Sequence, residues 1–331
     1  MCRLSLRSPA PLLATLLALG GGLGAHTGCS AQRPQFWGFT GPWDAGSDRS
    51  VRAHAAQLDA VISGWITIDS VTGQPILPSP YPDTVLPRTA TRMAIVTSWH
   101  EDRFHAASIR ALGRSTEALG RAAGALARYA AGAEYDGLVF DFETLERADL
   151  DAHLRVLRAL ADSARAHGIG TLAAAVAATD TAAYPAAPLL AIVDALVVML
   201  YDQHWLGSEP GPISDPAWFR RSLRLRLDEV GSDRLIAGLP LYGYRWRPGQ
   251  PTESVTFAEA QAHAATARAP LQRDPASRTL RSAAPDGEET WVTDAGLLRI
   301  LIDDARAAGV NRFALWRLGQ EDPAIWTSVI R

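Results

Sequence analysis

Short apolar runs rich in β-branched and aromatic residues recur along the chain and alternate with longer amphipathic stretches. The runs lie at Gln35–Phe39, Ala60–Ile68, Met93–Thr97, Gly137–Phe142, Thr171–Val176, Ala195–Tyr201, Leu235–Leu241 and Arg312–Trp316. They read as eight strands. Helical periodicity fills several gaps, at Ser115–Ala131, Asp149–His167, Pro216–Val230 and Asp294–Ala308, with polar starts and glycine stops at Gly168 and Gly309. Eight strands alternating with helices over this length predict an α/β protein built as a (β/α)8 TIM barrel; a doubly wound open sheet is the competing architecture.

Two intervals break the alternation. Residues Ser70–Pro87 are too proline-rich for a regular helix and predict a hairpin or an extended loop. Residues 247–292, rich in Ala, Thr and Pro and ending in the strand-like Thr290-Trp291-Val292, predict a small α+β insertion between strands 7 and 8.

Composition narrows the function classes. The chain has 331 residues, 47% of them hydrophobic, and a net charge of −3, which gives it a real core and disfavours nucleic acid as a partner. Every basic residue is arginine, so no lysine exists for Schiff-base chemistry. The two cysteines, Cys2 and Cys29, leave the rest of the chain without a disulfide or a thiolate metal site.

Arg3 and Arg7 precede an apolar stretch from Pro11 to Leu23 that is short for a membrane span, the layout of a signal peptide. Thr27-Gly28-Cys29-Ser30 resembles the end of a bacterial lipoprotein signal, with Cys29 the lipidated residue, although His26 stands where an aliphatic residue is usual. The expected layout is a signal in residues 1–28, a linker in 29–34 and a barrel in 35–331. The protein is then exported to the cell envelope and meets the membrane only through the lipid; plain secretion is the alternative.

The chemistry is most legible at Tyr135-Asp136-Gly137-Leu138-Val139-Phe140-Asp141-Phe142-Glu143. Side chains alternate along a strand, so Leu138, Phe140 and Phe142 face the helices while Val139, Asp141 and Glu143 face the barrel interior. Asp141 and Glu143 then sit at the carboxyl end of the strand, where active sites of barrels lie. Two carboxyls this close in a poorly solvated place cannot both ionise easily, so one keeps a proton and can serve as a general acid. Read alone, the same residues could equally cap loops or meet arginines.

The segment Asp136–Glu143 resembles the DGxDxDxE signature of the family 18 glycoside hydrolases. Further matches follow in order. Met199-Leu200-Tyr201-Asp202 is similar to the MxYD motif, and Gly238–Gly243 to the seventh strand. Trp316–Pro323 is similar to the eighth-strand segment of the branch of spore-cortex N-acetylglucosaminidases and deacetylase-fused modules. Trp43-Asp44 with Ser47 and Ser50, Gly64-Trp65, and Pro210-Gly211-Pro212 fit the same branch.

The resemblance implies a retaining hydrolase acting on polysaccharides that contain β-linked N-acetylglucosamine, peptidoglycan or another envelope glycan ahead of chitin, as a monomer without cofactor or metal. It implies Glu143 as general acid and base, Asp141 as the residue orienting the substrate's acetamido group, Tyr201 as a hydrogen-bond donor to it, and Asp202 as a positioning group. Trp316 is implied as the floor of the subsite. Tyr242, Met199, Trp43, Asp136, Trp205 and Trp291 complete the expected substrate-binding set.

Val139 departs from the signature, since an Asp or Asn is usual there. That keeps a second reading open, a catalytically silent carbohydrate-binding barrel; the retained Glu143 favours the enzyme. Trp37, Trp218, Trp246 and Tyr244 are also expected near the strand ends, while Trp65, Trp99 and Trp326 are expected in the core. A covalent nucleophile at Asp44 is the minor alternative mechanism. The run Arg220–Arg226 reads as the solvated face of a helix. His100 and His204 read as loop histidines, and the absence of paired histidine motifs speaks against zinc.

Overall fold

In a computed structural model of the protein, residues 33–78 and 90–330 are described. The expected signal peptide and Cys29 lie outside them. Eight parallel strands form the barrel: β1 (Gln35–Phe39), β2 (Ala60–Ile68), β3 (Thr91–Thr97), β4 (Gly137–Asp141), β5 (Thr171–Ala177), β6 (Ala195–Met199), β7 (Leu235–Pro240) and β8 (Arg312–Trp316). Each pairs with its neighbour in sequence, and β8 pairs with β1 through Gln35–Arg312 and Gly38–Leu315, which closes the barrel and excludes the open sheet.

Such strands are covered on both faces, and the side chains sort accordingly. Leu138, Phe140, Leu196 and Val198 point into an outer core shared with the helices, whereas Val139, Ile95, Ala173, Val197 and Ile236 fill the barrel interior.

The helices that matter for the site are α1 (Ala45–His54), α2 (Ala106–Arg114), α3 (Thr116–Gly132), α4 (Leu150–Ala166), α5 (Ala186–Leu190) and α6 (Pro216–Val230). Local sequence starts them: Asp215 accepts from the Ala217 and Trp218 amides with Pro216 as the first helical residue, and Ser115 accepts from the Ala118 amide. Between β2 and β3, Pro75–Ile76 pairs antiparallel with Thr67–Ile68, so the described part of the proline-rich interval is a hairpin. Among the described residues no helix is long and apolar enough to cross a membrane.

After β7 the chain enters a five-stranded antiparallel sheet: Gly243–Trp246, Glu253–Val255, Gln272–Arg273, Leu280–Ala283 and Glu289–Val292. Helix α7 (Phe257–Thr266) packs on it. The sheet opens at Gly243 rather than at Arg247, because β7 continues into it after only Leu241-Tyr242. Helix α8 (Ala295–Ala307) then leads back to β8.

One surface reading is overturned here. The run Arg220–Arg226 is not uniformly solvated: Arg226 has no exposed surface. Its guanidinium donates to the carbonyl oxygens of Ala177, Ala178, Asp180 and Tyr184 and pairs with Glu229. Helical spacing turns Arg226 inward beside Leu223 and Phe219, and backbone acceptors replace its water.

Candidate active site

Asp141 ends β4 and is 5% exposed, while Glu143, two residues on, is half-buried. Thr97 at the end of β3 donates to Asp141 Oδ2 at 3.3 Å. Thr97 Oγ1 also accepts from the Trp99 amide at 3.0 Å, so its one hydroxyl proton is left for the carboxylate. Asp141 Oδ1 is buried without a hydrogen-bond partner. Burial raises the Asp141 carboxyl to about 7, against the hydrogen bonds from Thr97 and Glu143 that lower it. Glu143 is pushed well above the usual carboxylate range by its own burial, then by the charges of Asp141 and Asp202 and by its hydrogen bond to Asp141. Glu143 therefore holds the proton of the pair and donates it toward Asp141.

Below this pair lies Val139, fully buried in the barrel interior. No polar group of β4 stands under Asp141, so Thr97 on the neighbouring strand supplies the supporting donor.

The MxYD segment reaches the same end of the barrel. Met199, with the inward parity of Ala195 and Val197, ends β6 and is half-buried. Three residues beyond the strand end, Asp202 adopts a left-handed backbone at φ 58°. The Tyr242 hydroxyl and the Tyr244 hydroxyl, the latter at 2.9 Å, both donate to Asp202 Oδ1. Tyr201 meets the Tyr242 ring edge-on at 6.3 Å. A close approach under Tyr201 needs Gly238: a Cβ there would stand 2.8 Å from the Val198 carbonyl oxygen and 3.1 Å from the Tyr201 ring. The charges of Glu143, Asp202 and Asp141 all raise the Tyr201 hydroxyl further than its burial alone, so it stays a hydrogen-bond donor.

Aromatic side chains line the cleft. Trp316 ends β8 and packs both on the barrel-interior cluster and on a second cluster of Tyr242, Tyr244, Trp246, Trp291 and Ile213. Trp65 stands 6.5 Å from Trp316 and 4.7 Å edge-on from Trp43, so it belongs to this aromatic floor rather than to the remote core. Trp43 is 60% and Trp205 54% exposed, each on a loop at the carboxyl ends of the strands. Trp291 is 8% exposed under the guanidinium of Arg281 and supports the wall.

Several expected residues lie elsewhere. Asp136 precedes β4 and sits at the opposite end of the barrel from Glu143, where its Oδ2 accepts the Arg92 amide at 2.8 Å. It cannot touch a substrate in the cleft, since the strand itself separates the two. Trp37 is buried inside the barrel with Arg312 over its ring at 5.4 Å, and Trp218 packs in the outer layer on α6. Asp44 caps α1 and pairs with Arg317, which occupies the carboxylate proposed as a minor nucleophile.

His100, Glu101 and His105, a grouping the sequence spacing does not announce, bring one donor atom each within 4.8 Å on the hairpin after β3. Within it, His105 Nε2 lies 2.9 Å from the His100 carbonyl oxygen and 3.4 Å from Arg103 Nε.

No family model matches the chain. The Bacillus subtilis (strain 168) protein YdhD, provisionally named a sporulation-specific glycosylase, is 26% identical over 249 residues, covering 71% of this chain and 59% of that protein. The chain thus spans well under two thirds of this curated relative. Among solved structures, a chitinase from Chromobacterium violaceum superposes with a TM-score of 0.77 at 23% identity, over 89% of this chain and 98% of the other. The Bacillus cereus spore cortex-lytic enzyme SleL gives 0.76 at 19% identity, over 90% and 74%. In fold the chain is similar to these barrels. The likeness to these solved structures is one of fold, and it runs over about nine tenths of this chain.

Proposed function

We propose that the protein is a retaining glycoside hydrolase for glycans containing β-linked N-acetylglucosamine, with an envelope glycan such as peptidoglycan ahead of chitin. The observation that carries this reading is the carboxyl pair: burial and the charge of Asp141 push Glu143 well above the usual carboxylate range, while Asp141 Oδ1 is buried without a hydrogen-bond partner. A substrate acetamido N–H fits that vacancy in hydrogen bonding. Glu143 then protonates the departing glycosidic oxygen as the acetamido oxygen attacks the anomeric carbon. Asp141 holds the N–H and the positive charge that develops, and Tyr201 donates to the acetamido oxygen. Water, activated by the now ionised Glu143, opens the cyclic intermediate with overall retention. Asp202, held by Tyr242 and Tyr244, borders the same sugar, and Trp316 supplies the apolar floor on which a ring can stack. The names of the relatives, a sporulation-specific glycosylase and a cortex-lytic enzyme, favour the envelope glycan.

Purified protein incubated with peptidoglycan, chitin oligomers and β-1,6-linked glucosamine polymer, with products read by mass, tests the proposal. Cleavage by the wild type and none by Glu143→Gln is expected. Equal product from Glu143→Gln sinks the mechanism; binding without product on any glycan supports the carbohydrate-binding alternative.

Export and lipidation of Cys29 stay part of the same proposal, resting on the sequence of residues 1–30. Metabolic labelling with an alkyne fatty acid is expected to mark the wild type and not Cys29→Ala.

A further inference from the structure

The buried Arg226 and the loop it grips have no part in the chemistry above, yet they end at the catalytic acid. Arg226 lies on α6 and reaches across to the loop that follows β5. Its Nη1 donates to the Tyr184 carbonyl oxygen at 2.9 Å, its Nη2 to the Asp180 carbonyl oxygen at 2.8 Å, and its Nε to the Ala177 and Ala178 carbonyl oxygens at 3.1 and 3.3 Å. One guanidinium thus gathers four carbonyls of a single turn. Five fixed donors in a rigid plane suit that task, which a lysine could not perform.

The turn presents Tyr184, 4% exposed, to the segment that follows the preceding strand, β4. Its hydroxyl donates to the Phe142 carbonyl oxygen at 3.0 Å and accepts from the Leu145 amide at 3.2 Å. Those two backbone groups flank Glu143 on either side. Between them Thr144 takes a left-handed conformation at φ 58°, which a non-glycine residue adopts only where its surroundings hold it. The backbone carrying Glu143 has left β4 at this point, so no ladder bond of the strand fixes it. The phenol hydroxyl takes that place.

We propose that Arg226 and Tyr184 are positioning residues for Glu143: Arg226 fixes the turn after β5, and Tyr184 clamps the backbone on both sides of the acid. The inference rests on the proposed role of Glu143 as general acid, and its test separates the two. Proton donation to the leaving group matters for a poor leaving group and hardly at all for a good one. A misplaced acid should therefore slow an unactivated N-acetylglucosamine oligomer and spare its 2,4-dinitrophenyl glycoside, whereas a general loss of folded enzyme slows both alike.

Wild type, Tyr184→Phe, Arg226→Lys and Glu143→Gln are to be compared on both substrates at 25 °C, with unfolding midpoints measured for each. For Tyr184→Phe we expect kcat/KM on the oligomer to fall by roughly tenfold or more, with KM within about twofold, and kcat/KM on the aryl glycoside, which reports leaving-group departure before Glu143 acts as base, to stay within about twofold. Arg226→Lys should show the same asymmetry. Tyr184→Phe removes only an oxygen and keeps the test valid if Arg226→Lys does not fold. Equal losses on both substrates, or wild-type kinetics in Tyr184→Phe, overturn the clamp and leave the general-acid role intact. A wild type that cleaves neither substrate, or a Glu143→Gln that equals it on the oligomer, refutes the reading on which the clamp rests and the clamp with it.

Discussion

The hydroxyl of Thr97 donates to Asp141 across 3.3 Å, from the end of β3 to the end of β4. It is the neutral donor that steadies a carboxylate set over an apolar barrel core, and the pH behaviour of the site follows from it. On the proposed mechanism, activity needs Asp141 ionised and Glu143 protonated. Asp141 sits at about 7 and Glu143 is raised well above the usual carboxylate range, so kcat should rise with pH through about 7 and fall at higher pH as Glu143 ionises. Thr97→Val removes a hydrogen bond that lowers Asp141, so the acid limb should move to higher pH. Val139→Asp adds a carboxyl that burial keeps protonated; donating to Asp141, it should move the limb to lower pH. A limb that stays fixed in both variants contradicts this coupling.

Asp141 also trades stability for chemistry. Its folded-state pKa lies above the unfolded value of 3.8, so the fold favours the protonated form. Stability on this account is greatest below pH 3.8 and declines as pH rises through about 7. At pH 8, Asp141→Asn should abolish hydrolysis and raise the unfolding midpoint by about 2–5 °C. A lower midpoint in that variant would show that the carboxylate is not a strained group.

His153 on α4 has the opposite sign. Its ring is 3% exposed, edge-on to Phe142 and Tyr184, and burial lowers it from 6.5 to about 4. The unfolded chain binds the proton first, so this contribution is full above pH 6.5 and is lost as pH falls toward 4. The loss should amount to about 3 kcal/mol. His153→Phe should flatten the difference between unfolding midpoints at pH 7 and pH 4.5; an unchanged difference assigns the acid sensitivity to other groups.

Tryptophans of one chain should divide by address. Trp43→Ala and Trp205→Ala, at exposed rims, should raise KM for long oligomers by about five- to tenfold with little change in unfolding midpoint, the scale of one ring-stacking contact. Trp37→Ala, deep in the barrel, should instead cost about 3–5 kcal/mol of stability. Calorimetry and kinetics on the three variants distinguish the classes, and a large stability loss in Trp43→Ala would remove it from the substrate path.

The strands were legible because each is a short apolar run bounded by polar segments. Asp141, Glu143, Tyr201 and Asp202 could be placed at one barrel end from parity and motif order, and the structure gathers them there. Asp136 was misread because a motif places residues in sequence, whereas a strand puts its two ends on opposite faces of the barrel. Arg226 was misread because a run of arginines looks solvated until the helix turns one of them into carbonyls contributed from a distant loop. Tyr184 gave no signal at all: its role depends on Phe142 and Leu145, some 40 residues away, being folded against it. Thr97 was silent for the same reason. What escaped the sequence is therefore support across strands, while chemistry carried along one strand was visible.

The wall strand Gly243–Trp246 departs from β7 after two residues, and its Tyr244, with Tyr242 just before it, is already bonded to Asp202. The seventh barrel strand and the wall thus share one uninterrupted backbone, joined by only two residues. A sugar entering this cleft meets groups whose entropy was lost during folding, so recognition draws on rigidity already present and the pathway for altering specificity runs through side chains on the rim.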